Sequence, residues 1–212
     1  MSGKIKVVIA DDHALLREGL KQILTETDDI EVVAEAKNAC EAISFAFKFK
    51  ADVLLLDISL PDRSGIEALK HIKKENGKLA VLMLSMHRED QYAIRSLKAG
   101  AAGYLGKQSA SSELVNAIRV IAKGKKYITP EVAEALANQV NETEKPLHEA
   151  LSDREFQTLT LIASGLSVSE IAVQLSLSVK TVSMYRKRLL DKMQLKHNAE
   201  ITHYAIKNGL VE

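Results

Sequence analysis

The chain has 212 residues, 46% of them hydrophobic, which is enough for one large or two small domains with cores of their own. Its 29 basic and 28 acidic residues nearly cancel, so the overall charge argues neither for nor against a nucleic-acid partner. The single cysteine, Cys40, excludes an intramolecular disulfide and a thiolate metal cluster. A strand pattern begins at residue 5 and no apolar run reaches membrane-spanning length, so we expect a soluble, cytoplasmic protein with no signal peptide and no membrane contact.

Five apolar segments, each followed by a helical pattern, make up the first part of the chain. They predict strands at residues 5–10, 31–36, 53–57, 79–84 and 102–105. The helical patterns include residues 65–76, 89–98 and 116–123, and Asn38 is a good N-cap for the second helix. The crossovers are long enough for parallel pairing with right-handed connections. We therefore predict an α/β domain over residues 1–125, with a five-stranded, doubly wound parallel sheet.

The rest of the chain is predicted to contain helices alone. A short helix over residues 131–140, started by Thr129-Pro130, leads into the polar, acidic segment 141–149. We interpret residues 126–150 as a linker, followed by a small all-α domain over residues 151–212. Ser152 and Glu155 have the spacing of a capping box. The later helix boundaries are predicted at Gly165, Ser167 or Ser169, Ser178, Asn198 and Gly209.

Polar residues follow four of the predicted strands. Asp11 and Asp12 follow the first, Asp57 ends the third, Ser85 follows the fourth and Lys107 follows the fifth. Each alone is an ordinary cap or surface residue, but parallel strands end at one edge of a sheet, so these groups should converge. Clustered carboxylates repel each other unless a cation is present, and all-oxygen ligands suit magnesium. With a hydroxyl and an ammonium group added, the cluster is suited to binding a phosphoryl group.

Residues 5–123 resemble the receiver domain of bacterial two-component systems, which has a flavodoxin-like fold. The resemblance rests on Asp11-Asp12, Asp57 with Pro61 and Gly65, Ser85, and the run from Gly103 to Lys107. It implies that a histidine kinase phosphorylates Asp57. It also implies a magnesium site formed by Asp12, Asp57, the Ser59 carbonyl and, through water, Asp11. The residues that stabilise the phosphate and respond to it would be Ser85, Tyr104 and Lys107.

A basic segment lies in the all-α part of the chain. Residues 178–196 contain six basic residues and one acidic residue. They include a predicted helix over 179–193, which follows another helix after a tight turn. A basic helix face is usually only solvated, but this combination is typical of a helix-turn-helix whose second helix enters the major groove of DNA. The residues predicted to contact DNA are Lys180, Thr181, Ser183, Met184, Lys187 and Arg188.

Residues 151–211 resemble a LuxR-type DNA-binding domain, through the runs 151–155, 162–167, 170–172 and 178–182. Together with the receiver, the whole chain resembles a NarL/FixJ-family response regulator. That resemblance implies a transcription regulator rather than an enzyme, which binds promoter DNA and forms a homodimer when it is phosphorylated. RNA polymerase is a further expected partner.

The sequence argues against two other functions and leaves a third open. A haloacid-type aspartyl-phosphate hydrolase needs an acid two residues after its nucleophile, and that position is Ser59. A dinucleotide-binding domain would carry a G-x-G-x-x-G motif after the first strand, which is absent. A receiver that is never phosphorylated and serves only for dimerisation stays open, although the complete acidic set argues against it.

Overall fold

The computed structural model describes residues 3–86, 90–141 and 146–211, and residue contacts divide the chain into two compact units, Met1–Ala137 and Asn138–Glu212. Strands and helices alternate in the first unit. Its strands are β1 (Ile5–Ala10), β2 (Ile30–Ala36), β3 (Val53–Asp57), β4 (Ala80–Ser85) and β5 (Gly103–Gly106). Its helices are α1 (Ala14–Thr25), α2 (Ala39–Lys48), α3 (Gly65–Glu75), α4 (Asp90–Lys98) and α5 (Ser111–Ala122), and α6 (Pro130–Asn141) begins in this unit and continues past its last residue, Ala137.

The five strands form one parallel sheet in the order β2-β1-β3-β4-β5, which confirms the predicted α/β fold class. β3 is buried along its whole length, as its continuous apolar run predicted. Residues at alternate positions of β1, β3 and β4 pack on one face of the sheet against α1 and α5. Since both faces are covered, the hydrophobic core holds the strand ends in fixed positions.

The strand order reverses at the boundary between β1 and β3. From β1 the chain moves outward to β2 on one side, and then to β3, β4 and β5 on the other. Ala10 lies beside Leu56, and Asp57 lies beside Leu84, so the residues after β1 and at the end of β3 share one edge. In open α/β sheets the crevice at this reversal point is where ligands bind. The loops after β1 and β3 therefore lie where a ligand would bind.

The segment after α5 continues the sheet at its β5 edge. Tyr127 pairs with Gly103 in an isolated parallel bridge, and the N–H of Tyr127 donates to the carbonyl of Ala102 at 2.9 Å. Lys126 donates to the carbonyl of Ala101. Gly103 is needed at this contact, because a Cβ there would lie 2.8 Å from the main-chain oxygen of Tyr127. The first residues of the predicted linker, Lys126 and Tyr127, are thus hydrogen-bonded to the edge of the sheet.

The second unit is helical within residues 146–211. Leu147–Ala150 form a 3₁₀ turn, followed by α7 (Asp153–Ala163), α8 (Val168–Gln174), α9 (Val179–Met193) and α10 (Asn198–Lys207). Helix α7 packs against α9 and α10, and α8 packs against α9. Ser152 with Glu155 forms the predicted capping box, and Ser167, rather than Ser169, forms a second one with Glu170.

One predicted helix cap is wrong. Asn198 does not cap α10 but is its first residue, and His197 takes the N-cap position without a side-chain hydrogen bond. The Oδ1 atom of Asn198 instead accepts a hydrogen bond from Nε of Arg186 at 2.6 Å. Because Arg186 lies on α9, Asn198 connects α9 to α10 and does not act as the N-cap of α10.

Two predicted features fall partly on residues that the structure does not describe. They are the start of the helix near Glu89 and positions 142–145 of the predicted linker. Within the described residues, no helix is both long enough and apolar enough to cross a membrane.

Candidate functional site

Three aspartates meet at the carboxyl edge of the sheet. Asp57 is the last residue of β3 and is 1% exposed, while Asp11, directly after β1, is fully buried and Asp12 is half-buried. Each of the three and the neighbouring His13 offers one ligand atom, and these four atoms lie within 4.8 Å of one another. The structure therefore brings together the carboxylates that the sequence placed at the strand ends.

Lys107 forms ion pairs with the two most buried carboxylates. Its Nζ atom lies 2.6 Å from Asp11 Oδ2 and 2.9 Å from Asp57 Oδ2. Burial alone would lower the pKa of Lys107, but the attraction of Asp57 and Asp11 outweighs it and raises that pKa above its ordinary value. Lys107 therefore stays protonated at neutral pH. The main-chain N–H of Lys107 also donates to the main-chain carbonyl of Ser85 at 2.7 Å, which fixes the backbone at the end of β5.

The Asp57 carboxyl is costly to ionise. Burial raises its pKa from 3.8 to about 6; Lys107 and the N–H of Ser59 act in the opposite direction, and Asp11 adds to the rise. The attraction of one ammonium group thus does not offset the burial of this carboxylate beside a second one. A further cation in the site would stabilise the ionised form.

A magnesium ion fits these residues. Asp11, Asp12 and Asp57 each have a buried carboxylate oxygen in the cluster; those of Asp11 and Asp57 are held by the ion pairs with Lys107, and that of Asp12 lies 2.8 Å from His13 Nδ1. Three hard oxygen donors at one sheet edge match the ligand preference of magnesium, an ion that also keeps several waters and shares phosphate oxygens. Receiver domains generally bind magnesium at such an acidic pocket, and the cluster could hold the ion here.

The loop after Asp57 is held by hydrogen bonds at two points. The N–H of Gly65 donates to the carbonyl of Ile58 at 2.8 Å, which closes the loop. The carboxylate of Asp62 accepts hydrogen bonds from the N–H groups of Ala39 and Cys40, at 2.8 and 2.9 Å. Asp62 therefore binds the first turn of α2 and anchors the loop there. Sequence reasoning did not identify this role of Asp62.

The two predicted switch residues lie on neighbouring strands. Ser85 ends β4, one position beyond the residue that pairs with Asp57, and is buried. Tyr104 lies within β5 and is also buried. Its side chain lines a groove of about 680 Å³ formed with Met86, Ile128 and Val132. Ser85 thus adjoins the acidic cluster, and Tyr104 adjoins the segment that continues beyond α5.

Two site residues were missed because their signals are weak. His13 Nδ1 lies 2.8 Å from Asp12 Oδ1 and 3.1 Å from Asp11 Oδ1, so the imidazole caps the acidic cluster from its exposed side. Arg17 of α1 is buried and donates from Nη1 to the main-chain oxygen of Asp11 at 2.7 Å. The available signal for Arg17 was its spacing from Leu20 and Leu24, which places a basic residue within an apolar stripe.

Helix α9 has one buried and one exposed face. Val182, Leu189 and Met193 are buried, whereas Tyr185 is only half-buried. The hydroxyl of Ser178 caps the helix by accepting from the N–H of Thr181 at 3.0 Å. The exposed face carries five of the six residues predicted to contact DNA: Lys180, Ser183, Met184, Lys187 and Arg188.

Thr181 differs from the other five predicted DNA contacts. It is half-buried, and its hydroxyl lies 2.7 Å from the hydroxyl of Ser178. The structure therefore gives Thr181 a place in the helix cap, and Thr181 is less exposed than the other five predicted DNA contacts.

Comparisons with known proteins match both parts of the chain. Residues 7–119 match the family model for the response regulator receiver domain, and residues 149–205 match that for bacterial regulatory proteins of the luxR family. The response regulator UvrY of Escherichia coli K12 is 39% identical over 209 residues, which cover 97% of this chain and 95% of UvrY. The oxygen regulatory protein NreC of Staphylococcus carnosus is 36% identical over 98% of this chain and 100% of its own length.

A solved structure agrees with these matches. The response regulator RcsB, in a structure of its complex with DNA, is 29% identical, with a TM-score of 0.60 over 95% of this chain and 98% of RcsB. Both predicted domains are therefore present in the order that the sequence suggested, and the relatives match them over nearly the full length. The chain belongs to the NarL/FixJ family of two-component response regulators, with a receiver domain followed by a LuxR-type DNA-binding domain.

Proposed function

We propose that Asp57 is the phosphoacceptor of this response regulator and that its phosphorylation by a histidine kinase controls dimerisation and transcription. The observation that carries the proposal is the ion-pair arrangement in which Lys107 bridges Asp11 and Asp57 at the reversal point of the sheet. Asp57 is the carboxylate at the end of the central strand, with an acidic partner, a fixed ammonium group and a nearby hydroxyl around it. These groups are what an in-line phosphoryl transfer requires.

Each residue then has a defined role. A carboxylate oxygen of Asp57 attacks the phosphorus, the new O–P bond forms, and the P–N bond to the kinase histidine breaks. Asp12, Asp57 and the Ser59 carbonyl would hold magnesium directly and Asp11 through water, and the ion would neutralise charge on the transferring phosphoryl group. Lys107 would bind a phosphoryl oxygen in exchange for part of its contact with Asp57, and Ser85 would donate a hydrogen bond to another.

The response to phosphate is proposed to pass through Ser85 and Tyr104. A hydrogen bond from the Ser85 hydroxyl to the phosphoryl group would bias the two side chains toward one of two arrangements. Tyr104 is buried in this structure, and a movement of Ser85 toward the phosphoryl group would free space for it to rotate. Its groove also contacts Ile128 and Val132, so a movement of Tyr104 would change the surface next to the segment beyond α5.

Replacing Ser85 with alanine should separate phosphorylation from its effect. The Ser85→Ala protein is expected to accept phosphate from an acyl-phosphate donor with magnesium, because Asp57 and Lys107 are intact. After phosphorylation, Ser85→Ala should form fewer dimers and bind DNA more weakly than the phosphorylated wild type, because it lacks the hydroxyl that would hydrogen-bond to the phosphoryl group. Phosphate content is measured by intact mass and dimer content by sedimentation. Wild-type dimerisation by phosphorylated Ser85→Ala would refute the switch.

The exposed face of α9 is proposed to enter the major groove of promoter DNA. Lys180, Lys187 and Arg188 would contact phosphates or base edges, and Ser183 and Met184 would face bases. Thr181 would contribute through the helix start that it shares with Ser178. RcsB, whose structure with DNA resembles this chain, supports the assignment. A single domain has a small footprint, so a phosphorylated homodimer on two half-sites about one DNA turn apart is proposed, with RNA polymerase as a further partner.

Phosphate and base contacts can be told apart by two variants. Lys187→Ala should weaken binding to all DNA sequences alike and lower the slope of log K against log salt concentration by about one unit. Met184→Ala should instead change which sequence is preferred. Both are measured by fluorescence anisotropy over a salt series. Lys207→Ala, which removes an exposed lysine of α10, is the matched control and should leave the slope unchanged. An unchanged slope in Lys187→Ala would exclude its phosphate contact.

A further inference from the structure

Arg17 is a charged residue in the buried stripe of α1. It is 8% exposed and shares that helix face with Leu20 and Leu24, which are also buried. A buried guanidinium group is costly unless its donors are engaged. Its contacts should therefore show why the position carries arginine rather than a third leucine.

The guanidinium group of Arg17 connects three elements of the receiver. Nη1 donates to the main-chain oxygen of Asp11, just beyond β1, at 2.7 Å. Nε lies 3.7 Å from Oε2 of Glu35 on β2, and the other oxygen of Glu35 accepts a hydrogen bond from Lys21 at 2.7 Å. At 3.7 Å the contact with Glu35 is an ion pair and not a hydrogen bond, so the hydrogen bond to Asp11 is the short contact through which Arg17 holds the loop after β1.

The loop that Arg17 holds carries two of the proposed metal ligands. Residues 11–13 connect β1 to α1, and α1 begins without a side-chain cap. Asp11 is held by its N–H donating to Ala36 at 3.1 Å and by its side chain accepting from the N–H of His13 at 2.8 Å. The bond from Arg17 fixes the remaining main-chain polar group of Asp11, its carbonyl oxygen. The orientation of the Asp11 and Asp12 carboxylates therefore depends on this contact.

We infer that Arg17 is a positioning residue for the acidic cluster. By holding the main chain of Asp11, Arg17 sets the affinity of the cluster for a divalent cation. The inference rests on the proposed function of the cluster. Arg17 contacts neither the cation nor the phosphoryl group in this account. It acts one bond further out, like the groups that orient metal ligands in other sites.

The test is the magnesium affinity of the full chain, measured by isothermal titration calorimetry with magnesium chloride. Arg17→Met, of similar length but without donors, should weaken magnesium binding about tenfold. The magnesium concentration for half-maximal phosphorylation by acetyl phosphate should rise by the same factor, while the rate at saturating magnesium stays near that of the wild type. Arg119→Met is the matched control, because Arg119 forms two 2.8 Å hydrogen bonds with Asp29 on an exposed surface. It should bind magnesium like the wild type.

Three outcomes are informative. Magnesium binding by folded Arg17→Met within twofold of the wild type would overturn the inference. If Arg17→Met does not fold, Glu35→Gln decides, because it removes the charge that holds Arg17 while changing a partly exposed side chain. A severalfold loss of magnesium affinity in Glu35→Gln supports the inference, and no loss overturns it. A wild-type chain that binds no magnesium would refute the proposed function itself, which is a different result.

Discussion

Replacing Asp57 with asparagine is expected to abolish phosphate incorporation and, at the same time, to make the protein more stable. The asparagine keeps the shape of the side chain but removes the nucleophilic oxygen. It also removes a buried charge that the site only partly neutralises, since burial raises the pKa of Asp57 to about 6. A functional carboxylate is thus expected to cost stability, as is common where a site needs a buried charge.

The sign of the stability change depends on pH. An aspartate that ionises near 3.8 in the unfolded chain and near 6 in the folded chain holds its proton more tightly when folded, so stability falls as pH rises between these values. Above pH 6 the full cost is about 3 kcal/mol, and at pH 4.5 it is about 1 kcal/mol. The gain in the free energy of unfolding from Asp57→Asn should therefore be largest at neutral pH.

Two measurements check this prediction. Urea unfolding in the presence of a chelator, at pH 7.5 and at pH 4.5, should show a stability gain that shrinks at the lower pH. Intact mass after treatment with acetyl phosphate and magnesium should show no phosphoryl group on Asp57→Asn. Asp12→Asn is the control, because it keeps the nucleophile and should accept phosphate at a higher magnesium concentration. Wild-type labelling of Asp57→Asn would exclude it as the acceptor.

Replacing Gly65 with alanine should be among the most destabilising changes in the receiver. A Cβ at this position would lie 2.0 Å from the main-chain oxygen of Asp57 and 3.0 Å from Cα of Ile58. Neither backbone group can rotate away, so β3 or the start of α3 has to shift. The expected loss is about 3 kcal/mol, at the upper end for overpacking. Because the clash is with Asp57 itself, phosphorylation should also slow.

The same substitution elsewhere provides the control. Gly19 lies within α1, and a Cβ there would meet no atom within 4 Å. Gly19→Ala should raise the free energy of unfolding by about 1 kcal/mol, because alanine has the higher helix propensity. Both variants are compared with the wild type by urea unfolding and by the rate of phosphate incorporation. A Gly65→Ala protein as stable as the wild type would show that the loop after β3 adapts at little cost.

The strand ends could be predicted from sequence because parallel strands impose a shared edge. Once the five apolar segments were aligned, Asp11, Asp57 and Lys107 had to meet, and their ion pairs follow from that geometry. Family resemblance assigned the roles. The capping box at Ser152 could be predicted for an equally local reason, because a cap involves residues three positions apart, whereas the sequence left the start of α8 open between Ser167 and Ser169.

Contacts between distant elements could not be predicted in this way. Arg17 lies near Glu35 only because α1 packs beside β2, and Tyr127 pairs with Gly103 only because the chain returns to the sheet edge after α5. Asn198 illustrates the opposite error, since a residue with a high capping preference is used to bind a neighbouring helix. Local preference was overridden there by a hydrogen bond to a neighbouring helix, which a single sequence does not display.

The most direct test of the account is the DNA affinity of the full chain before and after phosphorylation. A duplex would be selected from a random library by the phosphorylated protein, and binding measured by anisotropy with and without acetyl phosphate and magnesium. The account predicts about tenfold tighter binding by the phosphorylated wild type, a typical coupling between two sites, and no change for Asp57→Asn. Equal affinity of the wild type in both states would contradict the claim that Asp57 controls DNA binding.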